Sequence, residues 1–291
     1  MLKYILKIKR ELIAFISKIY VDHVTTNYQG LNLKVPLIHG MRNGGYIVPA
    51  EQWITDCLTA FTSTNKGMIL DIGANVGLIL VKLKTISNDI EYCGIEANPS
   101  CSFYTQELIR LNKFTKARLF TVALSDSLDS RRFYSSKAGD STGSLIYEHQ
   151  EQNSMEYSFD VVTITGDQFI STLNINEDGI SAIKIDVEGA EIYVLDGLVD
   201  TISKYEPYIF SEILYASSQE QKQRALAISN LLGSHGYSII GINHETRTLE
   251  LINDINEVGT KKYEAEYVFV PHNKIVLFLN AMKKNKSGLK I

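Results

Sequence analysis

The sequence predicts an α/β protein built on a doubly wound, mostly parallel sheet. The first observation is the apolar run Met68–Ile72, which is typical of a strand buried on both faces. A glycine turn follows it, and then a second apolar run whose interspersed lysines fit a helix packed on the sheet. Further strands are predicted at 91–96, 117–124, 180–186 and 207–214, with helices after most of them. This alternation indicates helices on both faces of a parallel sheet.

Length and composition indicate one large globular domain with additions. The chain has 291 residues, of which 45% are hydrophobic and 21% are charged. Its net charge of −4 provides no basic surface for nucleic acid, so a polynucleotide partner is excluded. Three cysteines without a C-x-x-C pair argue against a disulfide framework and favour the cytoplasm. No apolar run reaches the roughly 18 residues of a transmembrane helix.

An N-terminal unit at 1–49 precedes the main predicted domain at 50–291. Residues 1–21 carry isoleucine or leucine every three or four positions among lysines, which predicts an amphipathic helix. This helix packs on the domain or on a second subunit, or it makes a peripheral contact with an anionic membrane surface. Residues 33–48 predict a small hairpin. Its glycine-rich joint, which contains His39, is either a surface turn or a lid over the active site.

The turn after the first strand, residues 73–77 with the sequence G-A-N-V-G, separates two classes of cofactor. A dinucleotide-binding turn has the spacing G-x-G-x-x-G and places a pyrophosphate at the start of the helix. Here Asn75 replaces the middle glycine, and the third glycine comes one residue early. Asp71 would repel a pyrophosphate, whereas it suits the sulfonium and ammonium groups of S-adenosylmethionine. The turn therefore disfavours a nicotinamide oxidoreductase.

The second predicted strand also ends in a carboxylate, Glu96. A carboxylate at this point can accept hydrogen bonds from both hydroxyls of a ribose, each contributing roughly 1.5–3 kcal/mol. The residues that follow, Ala97-Asn98-Pro99, start a helix over 99–113. We therefore expect Glu96 to bind the ribose of the cofactor.

Three segments together resemble the signature of the FkbM-like methyltransferases, a Rossmann-like family that uses S-adenosylmethionine. The segments are Asp71-x-Gly73-Ala74-Asn75-x-Gly77, Glu96-Ala97-Asn98-Pro99 and the run I-K-I-D-V-E-G-A-E at 183–191. The resemblance covers about residues 40 to 215 and implies a seven-stranded sheet. It implies cofactor contacts from Asp71, Gly73, Ala74, Asn75, Gly77, Glu96 and Ala97. It also places Asp126, after the third strand, at the adenine amino group, although a capping role is the alternative.

The third segment brings further charged residues to the same end of the sheet. Side chains alternate along a strand, so Lys184, Asp186 and Glu188 share one face, while Glu212 ends the next strand. A hydroxyl acceptor needs a base at neutral pH, and we predict Asp186 in that role with Glu188 and Glu212 in support. A structural ion pair between Asp186 and Lys184 is the alternative. The candidate catalytic residues are Asp186, Glu188, Glu212, Lys184 and His39. Three carboxylates could also hold Mg²⁺, but their spacing predicts no metal site.

Residues 130–164 depart from the doubly wound pattern and predict a small β-extension around the polar link 139–144. This link either contacts substrate hydroxyls or is a plain turn. After it, helix 218–233, strands at 237–242, 248–252 and 266–270, and a helix at 274–285 complete the fold, with the last strand antiparallel.

Absent motifs narrow the acceptor. The chain has neither the Asn/Asp-Pro-Pro-Tyr/Phe segment of N-methyltransferases on planar amino groups nor the Pro-Cys pair of cytosine C5 chemistry. The resemblance implies hydroxyl acceptors on glycans, lipids or polyketide-like products. Because no carrier domain is recognised, we expect O-methylation of a saccharide, on a sugar nucleotide or a cell-surface glycan. A lipid or polyketide-like acceptor and a non-catalytic, cofactor-binding scaffold are the alternatives.

Overall fold

The computed structural model describes residues 22–38, 41, 51–136, 142–147, 157–214, 218–243, 246, 248–260 and 265–284. Three predictions lie outside these residues: the amphipathic helix at 1–21, the second strand of the hairpin predicted at 33–48, and the position of His39.

Strands and helices alternate along most of the described chain. The strands are β1 (His23–Tyr28), β2 (Leu31–Pro36), β3 (Met68–Ile72), β4 (Tyr92–Ile95), β5 (Ala117–Phe120), β6 (Ala123–Ser125), β7 (Asp129–Ser135), β8 (Tyr157–Thr165), β9 (Ile180–Ile185), β10 (Tyr208–Glu212), β11 (Tyr237–Asn243), β12 (Thr248–Ile252) and β13 (Glu266–Pro271). The helices are α1 (Gln52–Thr64), α2 (Leu78–Ile86), α3 (Pro99–Asn112), α4 (Gly166–Ser171), α5 (Glu191–Asp196), α6 (Val199–Tyr205), α7 (Gln219–Ser234) and α8 (Ile275–Lys284). Within these ranges, no helix is long and apolar enough to cross a membrane.

The central sheet has eight strands in the order β12-β11-β13-β10-β9-β3-β4-β5. Strands β5, β4, β3, β9 and β10 run parallel, and β13 is antiparallel to both of its neighbours. This arrangement confirms the predicted doubly wound α/β fold with an antiparallel last strand. It has one strand more than the seven that the resemblance implies, because β12 adds to the edge beside β11.

The order of the strands sets the position of a ligand crevice. From β3 the chain moves outward to β4 and β5, and then returns to the other side of β3 as β9. At such a switch point the loops that follow neighbouring strands turn to opposite faces, which leaves a crevice at the carboxyl ends of the strands. The segments after β3, β4 and β9 are the three that the sequence comparison with the methyltransferase signature selected.

Both faces of the central sheet are covered, which explains the continuous apolar runs in the sequence. Every residue of β3 and β9 is buried. Ile69 faces a core that includes residues of α1, α2, α3 and α8, whereas Leu70 faces a core that includes residues of α4 to α7. A parallel strand enclosed in this way needs apolar residues at successive positions, so the charged residue Asp71 in β3 requires specific partners.

The predicted third strand, 117–124, is divided between two sheets. Strand β5 ends at Phe120 and belongs to the central sheet, whereas β6 pairs in parallel with β8 in a small sheet of order β6-β8-β7. This small sheet is the predicted β-extension. The continuous apolar run hid the break at residues 121 and 122, where the chain leaves the central sheet.

Strand β2 forms an N-terminal hairpin that the sequence analysis did not predict. It lies where a strand was expected, and among the described residues its partner is the preceding strand β1. Gln29 and Gly30 connect them with φ angles of 49° and 90°, the positive values that a tight hairpin turn requires. The hairpin is joined to helix α3 because the Asn112 amide exchanges hydrogen bonds of 2.8 and 2.7 Å with the backbone N–H and C=O of Lys34.

Candidate active site

A cleft with about 620 Å³ of empty space opens at the carboxyl ends of β3, β4 and β9. Six of the residues selected from the sequence lie in its wall: Gly73, Asn75, Glu96, Ala97, Asp186 and Glu188. Apolar side chains supply much of the remaining wall, among them Ile72, Ile95, Val122, Leu124, Phe133 and Leu145. The structure therefore brings together residues from all three signature segments and adds the small sheet as an outer wall.

The turn after β3 can form only with glycine at its first position. Gly73 has a φ of 80°, and a Cβ atom built on it would lie 1.9 Å from the carbonyl oxygen of Asp186. The N–H groups of Gly73 and Ala74 donate to the Ile95 carbonyl at 2.9 and 3.0 Å, so they are used inside the fold. Gly77, with a φ of 81°, is the residue before helix α2. The turn is thus packed tightly against the segment that follows β9.

Glu96 is held at the cleft wall by two backbone donors. Its Oε2 accepts from the Asn75 N–H and its Oε1 from the Asn98 N–H, both at 2.7 Å. Burial raises the pKa of Glu96 to about 7, against the lowering effect of these hydrogen bonds. Asn75 has a φ of 47°, and this left-handed conformation is part of the turn that directs its N–H at the carboxylate. Glu96 therefore has a fixed orientation, with lone pairs left for a ligand.

Asp71 lies beneath the cleft and is not one of the residues that line it. Its side chain is fully buried, and its Oδ2 accepts a 2.6 Å hydrogen bond from the Tyr92 hydroxyl. Its Oδ1 faces the Lys184 ammonium at 3.4 Å. Burial raises the pKa of Asp71, while Lys184 and Tyr92 oppose that shift. The geometry links Asp71 to the cleft through Lys184, and the direct cofactor contact expected from the sequence stays a prediction.

Lys184 connects the two loops of the site. Its Nζ donates to the Gly73 carbonyl at 2.8 Å and lies 3.2 Å from Asp186 Oδ2. Burial alone would lower the pKa of Lys184, but the carboxylates of Asp186 and Asp71 raise it above its ordinary value. A lysine that stays charged in this way cannot take up a proton during a reaction. The structure therefore contains the ion pair that was the alternative to a catalytic role for Lys184.

Glu188 and Glu212 are the half-buried carboxylates of the site. Glu188 occupies a left-handed turn with a φ of 55°, directly before Gly189. Burial raises its pKa to about 8, with further contributions from the charges of Asp186 and Glu212. Burial and the charge of Asp186 likewise raise the pKa of Glu212 to about 7. Neither side chain has a hydrogen-bond partner among the described residues, and the charge of Lys184 offsets only part of the rise in their pKa values.

Two further residues support the turn around Glu188. The Glu191 carboxylate is buried and accepts from the Val187 and Gly189 N–H groups at 3.3 and 2.9 Å, which holds the backbone on both sides of Glu188. The Ser144 hydroxyl donates to the Glu188 carbonyl at 2.7 Å. Neither residue was assigned a role from the sequence, although Glu191 stands in the signature segment and Ser144 in the polar link.

The sequence match decides the family. The model of one family, described as "Methyltransferase FkbM domain", matches residues 71–239, which include the turn after β3, Glu96 and the segment after β9. The chain belongs to the FkbM methyltransferase family. This is the family that the three segments in the sequence indicated.

Solved methyltransferase structures are similar to this FkbM chain at low sequence identity. FkbM methyltransferase from Methylobacillus flagellatus is 14% identical with a TM-score of 0.44, and the match covers 70% of this chain and 43% of that one. Precorrin-6y C5,15-methyltransferase from Geobacter metallireducens is 10% identical with a TM-score of 0.42, covering 79% and 92%. A putative O-methyltransferase from Klebsiella pneumoniae is 11% identical with a TM-score of 0.44, covering 78% and 82%. The chain thus spans less than half the length of the FkbM protein. Comparison with curated proteins gives no match.

The cleft of this FkbM protein fits S-adenosylmethionine. The fixed Glu96 carboxylate can accept from the ribose hydroxyls, and the apolar side chains of Ile95, Val122 and Leu124 can enclose an adenine ring. At the other end, Gly73 lines the cleft beside the carboxylate of Asp186. Two carboxylates and several apolar groups are therefore arranged as an adenosyl compound requires.

Asp126, a further predicted site residue of the FkbM protein, lies outside the wall of the cleft. It follows β6 and pairs with Arg131 at 2.5 Å. Its contact with adenine and the catalytic role of His39 both stay predictions. Throughout the part of the chain that the structure describes, no group of three or more His, Cys, Asp or Glu residues is arranged to hold a metal ion.

Proposed function

We propose that this FkbM methyltransferase transfers a methyl group to a hydroxyl of a saccharide, on a sugar nucleotide or a cell-surface glycan. The observation that carries the proposal is the Glu188 carboxylate, which lies in the cleft wall with its pKa raised to about 8. S-adenosylmethionine supplies, when bound, a methyl group activated by the positive sulfur. The protein has to hold the acceptor in line with that methyl group and remove the hydroxyl proton.

Glu188 is better suited than Asp186 to accept the proton of a hydroxyl. Asp186, the base predicted from the sequence, faces the Lys184 ammonium at 3.2 Å, so its charge is already partly neutralised. Glu188 forms no ion pair among the described residues, and the charge of Lys184 lowers its pKa less than burial raises it. A carboxylate whose pKa lies near neutral pH binds a proton more strongly than an ordinary one. We infer that Glu188 takes the proton and that Asp186 orients the acceptor.

A groove beside the cleft supports a saccharide as the acceptor. Leu145 lines both the cleft and this groove, which lies between segment 142–147 and helices α5 and α7. Its wall includes the rings of Tyr147 and Tyr193 and the polar side chains of Gln223 and Arg224. Tyrosine presents an apolar face and a polar tip, and amide and guanidinium groups donate hydrogen bonds, so together they suit a hydroxylated ring.

Labelled S-adenosylmethionine provides the test. The protein is incubated with it and with separate fractions of its host's sugar nucleotides, cell-surface glycans and lipids, and incorporated label is counted. We expect label in a saccharide fraction. Glu188→Gln should reduce incorporation about 100-fold or more, the usual contribution of a general base. The matched control is Glu107→Gln, which removes a carboxylate paired with Arg110 on helix α3, outside the cleft, and it should keep full activity.

Each other outcome of this experiment counts against a named part of the proposal. Label only in the lipid fraction would support a lipid acceptor. An absence of label in every fraction, with the cofactor still bound, would support a non-catalytic scaffold. A larger loss in Asp186→Asn than in Glu188→Gln, at equal cofactor affinity, would return the role of base to Asp186.

A further inference from the structure

We propose that Tyr92 is a positioning residue for the cofactor cleft. It acts through Asp71 and Lys184 on the carbonyl of Gly73 and on the carboxylate of Asp186. Tyr92 itself does not line the cleft and lies at the start of β4, and strand β3 separates it from Lys184 on β9. The inference concerns cofactor binding and is independent of the acceptor proposed above.

The absence of a side chain at Gly94 allows Tyr92 to reach Asp71. Tyr92 and Gly94 are two residues apart on β4, so they share one face of the sheet. A Cβ atom built on Gly94 would lie 2.7 Å from the Tyr92 hydroxyl oxygen and 2.9 Å from its ring. The tyrosine therefore lies over Gly94 and points along the strand toward its carboxyl end. Any larger residue at position 94 would displace the ring.

The strand register aligns the remaining groups. Asp71 is paired with Gly94 on one side and with Lys184 on the other, so the three residues lie side by side on neighbouring strands. The contacts run from the Tyr92 hydroxyl to Asp71 at 2.6 Å, and from Asp71 to the Lys184 ammonium at 3.4 Å. Tyr92, Asp71 and Lys184 are 1%, 0% and 7% exposed, so bulk water cannot easily replace a lost contact.

The Tyr92 hydroxyl determines how the Lys184 ammonium is shared. This ammonium has Asp71 on the side of the core, and the Gly73 carbonyl and Asp186 on the side of the cleft. As long as Tyr92 donates to Asp71, one oxygen of this buried carboxylate is satisfied and the ammonium can remain with Gly73. Without that donor, the desolvated carboxylate draws the ammonium toward itself, because an unsatisfied buried charge is costly. The Gly73 carbonyl and Asp186 then lose their cation.

Tyr92→Phe tests the proposal because it removes one oxygen atom and keeps the ring. Binding of S-adenosylhomocysteine, measured by calorimetry, should weaken about tenfold, the size expected from one buried hydrogen bond to a charged group. The matched control is Tyr208→Phe. Tyr208 is also a buried strand tyrosine, but its hydroxyl lies 2.9 Å from Thr64 Oγ1, at the amino end of β10. Tyr208→Phe should bind S-adenosylhomocysteine within about twofold of the wild type. Its loss of stability in urea unfolding should be comparable to that of Tyr92→Phe.

A double-mutant cycle separates positioning from general loosening. In an Asp71→Asn background, Tyr92→Phe should have no further effect on the affinity for S-adenosylhomocysteine. Tyr92 acts through the Asp71 carboxylate, which this background has already removed. Gly94→Ala, which displaces the ring without removing a polar group, should weaken binding like Tyr92→Phe and provides a second variant if that one fails to fold. Affinity of Tyr92→Phe within about twofold of the wild type would overturn the proposal, as would equal weakening in Tyr208→Phe or additive effects in the cycle.

Discussion

The carboxylates at the carboxyl end of the sheet fall into two sets with opposite surroundings. Asp71 and Glu96 are buried, and each is held by donors at 2.6 or 2.7 Å. Glu188 and Glu212 are half-buried and have no hydrogen-bond partner among the described residues, and their pKa values are raised by burial and by neighbouring negative charge. Carboxylates therefore occur here in two environments, one with hydrogen-bond donors and one without them among the described residues.

The difference suits the two sets of carboxylates to different tasks at this end of the sheet. Groups with hydrogen-bond partners have one orientation, which suits the recognition of a cofactor. Unpaired carboxylates with raised pKa values are destabilising in the folded protein, but they bind protons near neutral pH, which suits proton transfer. The boundary between the two sets is Asp186, which is paired with Lys184 and still 32% exposed at its side chain.

Gly73→Ala should have the largest effect, because it disturbs the contact between the two halves of the cleft. A methyl group would overlap the Asp186 carbonyl and would occupy a backbone with a φ of 80°. We expect a loss of about 3 kcal/mol of stability in urea unfolding and no measurable cofactor binding. The control is Gly233→Ala in helix α7, where a Cβ atom would have nothing within 4 Å. This substitution should increase the free energy of unfolding by about 0.5–1 kcal/mol. Similar stability of the two variants would contradict the tight packing inferred here.

Glu96→Gln should weaken cofactor binding, because it changes one of the two carboxylates that have hydrogen-bond partners. The amide keeps the size of the side chain, but its NH₂ group faces a backbone N–H where the carboxylate accepted a hydrogen bond. Cofactor affinity, measured by calorimetry, should fall by about 1.5–3 kcal/mol, which corresponds to roughly 10- to 100-fold. Glu91→Gln, immediately before the same strand and near Lys116 at the surface, should leave affinity unchanged. A loss of less than about threefold in Glu96→Gln would disprove ribose recognition by this residue.

The pH dependence of stability should reveal the raised pKa of Glu188, with the smallest effect of the three. The folded-state pKa values of Glu188 and Glu212, about 8 and about 7, lie above the ordinary value of 4.5. At a pH between the unfolded and the folded pKa values, these two groups bind more protons in the folded state than in the unfolded state. Their contribution to stability therefore falls as the pH rises from about 4.5 to 8. Urea unfolding at pH 5.5 and at pH 8.5 measures how much free energy of unfolding is lost over this range. In Glu188→Gln this loss should be smaller than in the wild type by on the order of 1 kcal/mol. An identical loss in both proteins would mean that Glu188 titrates normally.

Local chemistry explains what the sequence could predict. The apolar runs gave β3, β9 and β10, because enclosed parallel strands require them. The spacing of Gly73, Asn75 and Glu96 identified residues of the cleft wall, because the turn and the carboxylate follow directly from neighbouring positions in the chain. The FkbM family, the cofactor and the doubly wound fold were therefore accessible before the structure.

Contacts between distant segments explain what the sequence could not predict. Asp71 was expected to be a cofactor ligand, but its burial depends on Tyr92 from the next strand and on Lys184 from a strand more than a hundred residues later. Gly94, two residues after Tyr92, was a possible signal of this arrangement. The break in strand 117–124 was hidden for the opposite reason, since both pieces are apolar and only their pairing partners differ.

The Ser144 hydroxyl has a consequence for how this site can be modified. Through one 2.7 Å bond to the Glu188 carbonyl, it fastens the small sheet to the loop that carries the proposed base. The outward side chains of segment 142–147 can therefore be exchanged while the backbone under Glu188 remains anchored. An engineer who wants a new acceptor should retain this serine and vary Ile146 and Tyr147, which line the neighbouring groove and not the cofactor cleft.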